Sequence, residues 1–458
     1  MHGGVTAKMT TSPELCGAES DGELLRPFQM QSYEDLLQFP DIPVSTIDTP
    51  SGKRGITEPI VDAIVVPTIR SAQHLRWAIE LAAYARCHLV AVYTDTPPAG
   101  LSDVLDRFRL SRVTLLTVRS DAEHHLLDLG ASLPQSRVSP AALDISRKRN
   151  LGLLLGRVCG WTRTLFLDDD IRKLNVPKLS AAAALLDDYP VVAFQVKKYP
   201  DASVVGHARR LTGRRQEPFV SGGSLLVNPQ HLNGYFAPVY HEDWLCVINH
   251  LRDGEVAIGG SVGQVPYLPF TTPRRAQLEE FGDILLSGLL ALVHAHAKDA
   301  KDRAHHLTDI EYWREATDPR FWEQILEQRA ALLAGITTCL TGKSFENVSP
   351  LPSLQAAMQR LSELKPGEFV SFTEEWLTSL AEWRGRLSDL SRVGFPDKAR
   401  AIDKALSKLG LAHVVRVHEL SAQEVRARET HWAERFASRW GWRSGVDSRR
   451  RFGMPNWF

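Results

Sequence analysis

Apolar residues recur along the chain with two different periods. Asp62 to Ile69 (DAIVVPTI), His88 to Tyr93 (HLVAVY), Arg112 to Val118 (RVTLLTV) and Thr164 to Leu167 (TLFL) are short runs rich in β-branched and aliphatic residues, and each predicts a buried strand. Between them the spacing turns helical. Ser71 is placed to cap a helix in which Leu75, Ala78, Ile79, Ala82 and Ala83 recur, and Ile145 to Cys159 predicts another. Strands alternating with helices predict parallel β-α-β units, with the C-terminal strand ends along one edge. Val191 to Lys197 and Phe219 to Val227 add strands, His241 to Leu251 a helix, and Val256 to Leu268 extended chain with several glycines. Gln277 to Ala297 is a long helix. From about 305 to 440 the pattern is helical, as in Trp322 to Leu333, Phe372 to Leu387 and Ala399 to Leu409.

The expected organisation is an N-terminal extension over residues 1–60, an α/β domain over 61–300 and a helical C-terminal region over 301–458. The first 24 or so residues are small, polar and aperiodic, and are expected to be disordered. One short helix is expected around Tyr33 to Leu37. No internal repeat is visible.

Composition narrows the classes. The chain has 458 residues, 43% hydrophobic and 24% charged, as in an ordinary globular protein, and its formal net charge is zero. Nothing global therefore calls for a nucleic acid or an anionic membrane. The five cysteines have no metal-type spacing and read as reduced thiols. The start of the chain lacks a charged-then-apolar signal pattern. The longest apolar stretch, Ile284 to Ala297, is short for a bilayer and contains His294 and His296. The expected location is cytoplasmic.

Chemistry concentrates in Asp168-Asp169-Asp170, which follows the Thr164–Leu167 strand without a spacer. Ligand sites in open α/β sheets lie outside the carboxyl ends of strands. Adjacent carboxylates repel one another unless something positive joins them, and their oxygens suit Mg²⁺ or Mn²⁺. Mg²⁺ typically takes one or two protein carboxylates and then substrate phosphates. A lone Asp-x-Asp more often starts a turn or caps a helix, so its context decides.

Several other segments could join this site. Pro67, Thr68 and Arg70 lie where the first strand ends and could meet a nucleotide. Asp95 ends the second strand, either to contact a base or ribose or to form a turn before Pro97-Pro98. Arg147-Lys148-Arg149 near a helix start opposes the macrodipole, which favours a phosphate partner over a solvated basic face. Gly222-Gly223 permits close backbone approach to a ligand or a tight bend. Glu242-Asp243 offers a base for an acceptor hydroxyl or an electrostatically favoured first helical turn, with Trp244 a possible wall for a sugar ring. His294 or His296 could add a metal ligand, though residues two apart on a helix face apart. His305 and His306 are further candidates. Lys298 to Arg303 is a self-paired solvated segment. The Arg/Trp-rich end, from Arg435 to Phe458, packs back on the protein or makes peripheral contact with a membrane or an acidic partner.

Taken in order, these segments resemble the GT-A fold glycosyltransferases, especially the broad family 2. Val65-Val66-Pro67-Thr68 matches a strand ending in Pro-Thr, and Asp95 a strand-end Asp. Arg149-Asn150-Leu151-Gly152 matches an Arg-Asn-x-Gly helix. Asp168 and Asp170 match the Asp-x-Asp, Gly222-Gly223 a Gly-Gly strand, and Glu242-Asp243 a Glu-Asp pair. Thr94 to Pro98 departs from the family's acidic, Gly-Ser-rich turn, and the long gap from Asp170 to Gly222 implies an insertion around 197–217. The Pro-Thr-Ile-Arg and triple-Asp segments also resemble the reversibly glycosylated polypeptides, which include sugar-nucleotide mutases.

The resemblance implies a Rossmann-like domain that transfers a sugar from a UDP- or GDP-sugar to an acceptor hydroxyl. Asp168 and Asp170 would hold Mn²⁺ or Mg²⁺. Pro67, Thr68 and Asp95 would bind the nucleoside, with Arg70, Asn150, Asp169, Gly222 and Gly223 beside them. Arg149 would approach the phosphates or donor sugar. Asp243, with Glu242, would supply the base. A sugar-nucleotide mutase or nucleotidyltransferase on the same fold, or a non-catalytic scaffold, are the alternatives.

Overall fold

The computed structural model describes residue 38 and residues 60–97, 112–129, 140–197, 202–213, 220–299, 307–390 and 398–418. The expectations for residues 1–37, for His305 and His306 and for the Arg/Trp-rich end lie outside the described residues.

The first half alternates as its sequence predicts: β1 (Ala63–Pro67), α1 (Arg76–Ala85), β2 (His88–Thr94), β3 (Val113–Val118), α2 (Pro140–Val158) and β4 (Thr164–Leu167). Then come β5 (Ile171–Arg172), α3 (Val176–Ala184), β6 (Val191–Val196), α4 (Val204–Leu211), β7 (Val220–Val227), α5 (Glu242–Arg252) and β8 (Val256–Gln264). The remainder is α6 (Pro273–Asp299), α7 (Asp309–Tyr312), α8 (Pro319–Leu340), α9 (Leu351–Glu363), α10 (Pro366–Asp389), α11 (Lys398–Lys408) and β9 (Val415–His418). Ser71 stands at the N-cap of a 3-10 turn leading into α1, but its hydroxyl meets His74 Nδ1 at 3.1 Å rather than a backbone amide.

The strands form one mixed sheet in the order β5-β8-β6-β7-β4-β1-β2-β3-β9. The expectation of parallel units holds for β1 with β2 and β4, and for β2 with β3. It fails at β7, which runs antiparallel between β4 and β6. Two antiparallel steps restore direction, so β6 runs with β4 and its partner β8 runs parallel to it. The C-terminal ends of β1, β2, β3, β4, β6 and β8 therefore share one edge. β9 pairs antiparallel with β3, so the last described segment closes the sheet that the first ones began.

Strands buried on both faces read as continuous apolar runs. Ala63 and Val65 of β1 enter one core with Leu151, Leu154 and Phe166, while Ile64 and Val66 enter the other with Leu75, Ile79 and Leu165. α1 and α3 cover the second face. α2, α5 and α6 cover the first, and Trp313, Trp322, Trp376 and Trp383 of the helical region belong to that same continuous core. No helix among the described residues is long and apolar enough to cross a membrane.

Candidate active site

Strand order reverses between β1 and β4: β1 has β2 on one side and β4 on the other. Such a switch point opens a crevice at the C-terminal strand ends. Thr68 leaves β1 there and Asp168 leaves β4. The two ends are tied together. Thr68 Oγ1 donates to Asp169 Oδ2, the Arg70 amide donates to Thr68 Oγ1 at 3.0 Å, and Arg70 Nη1 donates to Asp169 Oδ1 at 2.9 Å. Asp169 is thus the buried member of the triplet, clamped by β1 residues.

Asp168 turns the other way, accepting from Arg149 Nη2 at 2.9 Å. Arg149 reaches it from the middle of α2. Gly152, one turn on, makes that approach possible, because a Cβ there would stand 2.8 Å from the Phe166 ring and 2.9 Å from Val65. The other Arg149 nitrogen, Nη1, donates to Glu242 Oε1 at the start of α5. Burial works against the charge on Arg149, but Asp168 and Glu242 overcome it and raise its pKa. Burial raises the pKa of the Glu242 carboxyl, with Arg149 opposing.

Asp170 is the least satisfied of the three. Its Oδ2 accepts from Gln264 Nε2 at 3.3 Å and lies 3.9 Å from Arg70 Nη2. Its Oδ1 and Gln264 Oε1 are both buried and accept no hydrogen bond from any described residue. Burial, with Asp168 adding to it, pushes the Asp170 carboxyl up to about 6. Two mutually repelling carboxylates beside orphaned oxygens form an oxygen-only donor set, which suits a hard divalent cation. No group of three or more His, Cys, Asp or Glu placed to bind a metal occurs among the described residues, so such an ion would complete its shell with substrate or water. His296 instead faces Glu315 Oε1 at 3.5 Å and the Tyr312 ring, and His294 is buried two residues before it on α6.

The glycine pair closes the site. A Cβ at Gly223 would stand 2.8 Å from Asp168 Oδ2, and one at Gly222 would stand 2.6 Å from Asp243 Cβ and 2.7 Å from Arg149 Nη1. Only bare backbone lets β7 pass this close to both acids. Asp243 is then held by two amides, Gly222 N at 2.6 Å and Trp244 N at 2.9 Å, one to each carboxyl oxygen.

Other expected residues hold structure together. Asn150 is fully buried, and its amide exchanges two hydrogen bonds with the Phe236 peptide, at 2.9 and 2.8 Å. Asp95 has φ 57°, and its carboxylate accepts from the Ser120 amide and hydroxyl, both at 2.8 Å. Those bonds tie the β2 and β3 ends and hold the carboxyl below the ordinary range. Trp244 is 1% exposed and lies in the core, so it is no wall for a sugar. The basic run sits mid-helix rather than at a helix start, and it is buried rather than solvated. Each cation has its own carboxylate: Arg147 pairs with Asp128 at 2.9 Å, Lys148 with Asp144 at 2.6 Å, and Arg149 with Asp168.

Sequence reasoning missed Gln264, Asp144 and the anchoring role of His241, and gave Lys148 a phosphate partner where the structure gives it a structural role. Gln264 carried no motif. Lys148 Nζ also donates to the Thr68 carbonyl at 3.1 Å, and Asp144 receives the Thr94 hydroxyl, so this pair props the ends of β1 and β2. Its local sign was the i, i+4 spacing of Asp144 and Lys148. His241, at φ 72°, donates from Nε2 to Asp283 Oδ1 at 2.8 Å, which anchors the start of α5 to α6. Burial works against a charge on His241, and Asp283 overcomes it.

No family model matches the sequence, and a search of curated proteins finds no significant relative.

Proposed function

We propose that this protein is a metal-dependent glycosyltransferase of the GT-A type, moving a sugar from a nucleotide-diphosphate donor to an acceptor hydroxyl. The observation that carries this is the meeting of Thr68, Asp168, Asp169 and Asp170 at the strand-order switch, with the buried Oδ1 of Asp170 left without a partner. Stability alone does not favour such an arrangement, because an unmet buried polar atom costs about 1–3 kcal/mol.

Asp168 and Asp170 would hold Mg²⁺ or Mn²⁺, which would neutralise charge on the departing diphosphate. Thr68 and Arg70 line the nucleoside side, with Asp95 and Ser120 at its far end. Arg149 holds Asp168 and Glu242 through its two terminal nitrogens, and its charge would lie beside the donor phosphates. Glu242 is committed to Arg149, which leaves Asp243 as the base. Its two amide contacts fill two of about four acceptor positions on the carboxylate, so an acceptor hydroxyl has room to hand over its proton.

The test is calorimetric titration with UDP and with GDP, with and without Mn²⁺, on the wild type and on Asp168→Ala/Asp170→Ala. The expected result is metal-dependent binding of one nucleotide, lost in the variant. Absence of metal-dependent binding of any nucleoside diphosphate would sink the proposal. Product analysis then separates the readings: a mutase isomerises the donor alone, a nucleotidyltransferase needs pyrophosphate to release nucleoside triphosphate and sugar phosphate, and a transferase needs a sugar acceptor.

A further inference from the structure

The last described segment docks on the sheet through a group of imidazoles. β9 pairs antiparallel with β3, and the turn that leads from α11 into β9 borders His124. A Cβ at Gly410, where φ is 68°, would stand 3.7 Å from His124 Nε2. Between ring centroids, His125 stacks on His124 at 4.4 Å and His413 lies 5.8 Å from it. His124 is 8% exposed, whereas His125 and His413 are open to solvent. Leu409, Leu411, Val414 and Val415 share one core with Leu126, Leu127 and Leu129, so apolar burial holds the two segments together around these rings.

The bonding of His124 requires its neutral form. Its Nδ1 accepts the Leu126 amide at 3.2 Å, and only an imidazole nitrogen without a proton accepts an N–H. The single ring proton is then on Nε2. An imidazolium carries donors at both nitrogens, so charging this ring breaks the Leu126 bond. Among the described residues no carboxylate bonds the ring to receive the new charge. Arg147 faces it from α2, Arg386 from α10, His413 from the turn before β9 and His125 from its own segment. The acids of that segment are engaged elsewhere or turned outward. Asp128 accepts the His124 backbone amide and pairs with Arg147, Asp121 pairs with Arg119, and Glu123 is exposed. Burial, with His125, His413, Arg386 and Arg147 adding to it, pushes the His124 pKa down to about 4. An undocked ring takes up its proton near pH 6.5 and the docked ring only near pH 4, so docking weakens as pH falls between these values.

The same seam supports the end of β3. The Arg119 amide donates to the Val414 carbonyl at 3.0 Å, and His418 Nε2 meets Thr117 Oγ1 at 3.0 Å across the strand pair. Ser120, the next residue, holds Asp95 through its amide and its hydroxyl. Release of the turn at Val414 therefore frees the neighbour of the residue that fixes Asp95.

We propose that His124 is an acid switch whose protonation releases the α11–β9 segment from the edge of the sheet. The switch is independent of the function proposed above. Its test is hydrogen exchange of the full chain, read by mass spectrometry at pH 7.5 and 5.0 and corrected for intrinsic rates. In the wild type, protection of the Val414–His418 amides should fall about tenfold or more at pH 5.0, while β1 and β4 keep theirs. His124→Asn supplies an amide oxygen where Nδ1 stood, so the Leu126 amide keeps its acceptor and no proton can be taken up. Its β9 protection should change by less than about threefold between the two pH values. Three results each overturn the switch: no fall in the wild type, an equal fall in β1 and β4, or a fall in His124→Asn as large as in the wild type. If His124→Asn lowers the thermal midpoint at pH 7.5, His413→Asn decides instead. That ring is exposed, and removing its charge should move release of β9 to lower pH. Release at the wild-type pH overturns the switch.

Discussion

The helical region and the C-terminal edge of the sheet both bury charge, and they treat it differently. In the helical region Arg329 divides its guanidinium between Glu280, at 2.7 Å twice, and Asp283 at 2.8 Å. Arg252 and Arg384 share Asp309 in the same way. Among the described residues from 307 to 418, the buried groups without a partner are neutral ones: the Ser353 hydroxyl and the indole N–H groups of Trp376 and Trp383. At the strand ends, orphaned atoms include ones on ionisable groups, Asp170 Oδ1 and Arg149 Nε, beside the neutral Gln264 Oε1. A charged group left short costs more than a neutral one. Charges in the helical region are therefore structural, whereas those at the sheet edge, on the function proposed above, are held ready for a partner.

The sharpest way to break this contrast is Arg329→Ala. The guanidinium is 9% exposed and Glu280 is 0% exposed, so its removal strands two buried carboxylates. The expected loss is about 3–5 kcal/mol of stability, read from the denaturant midpoint at constant m-value. Asp283 also holds His241, so any folded fraction should bind nucleotide less well as the start of α5 loosens. A loss below about 1 kcal/mol would show that the helical charges are not structural.

Acid should come next. His207 is 5% exposed on α4, bonded to the Tyr267 hydroxyl at 2.9 Å, and burial pushes its pKa down to about 4, with Arg210 and Arg275 adding to the effect. The unfolded chain takes up that proton near pH 6.5 and the folded protein does so only near pH 4, so stability is lost as pH falls through this window. The expected size is about 3 kcal/mol. His207→Gln should remove its share of the slope of melting temperature against pH between pH 4 and 6.5, leaving that of His124, which burial also pushes down to about 4. An unchanged profile would remove His207 as its source.

At the sheet edge the effects should move from stability to binding. A methyl at Gly223 meets the Asp168 carboxylate, a side chain 33% exposed that can swing away. Gly223→Ala should therefore cost roughly 1 kcal/mol of stability, yet lower metal-dependent nucleotide affinity by about tenfold or more. Large destabilisation with affinity intact would reverse the assignment of the two regions.

The order of legibility follows the same division. β1, β2, β3 and β4 were readable because strands buried on both faces are apolar throughout, and α2 and α6 because they are long. β9 was not, since Val415–His418 is four residues with two polar ones, and only its pairing with β3 makes it a strand. α3 is nine residues ending in four alanines, and α4 is eight, too short to show a period. The triplet Asp168 to Asp170 was visible as chemistry, but its division of labour was not. Which Asp faces Thr68 and Arg70, which faces Arg149 and which stays short depends on partners 19 to 101 residues away. Trp244 shows the converse: beside two acids it suggested a sugar wall, yet Leu245, Val247 and Ile248 carry that helix into the core and take the indole with them.

The smallest expected effect tests the mouth of the site. Ile69 is 78% exposed between Thr68 and Arg70, both of which are fixed through Asp169. A β-branched apolar side chain there contributes little to folding, so Ile69→Ser should change stability by less than about 0.5 kcal/mol. Its neighbours hold it rigidly at the β1 end, where the nucleoside would lie, and burial of its side chain against a base or ribose contributes on the order of 1 kcal/mol. Calorimetry should therefore show nucleotide affinity weakened by roughly fivefold, with the metal requirement retained. If affinity is unchanged, the nucleoside lies away from the β1 end and toward Asp95 and Ser120. If the metal requirement disappears as well, the β1 end positions the aspartates rather than the base, and the division between binding edge and structural helices has to be drawn one residue deeper, at Thr68.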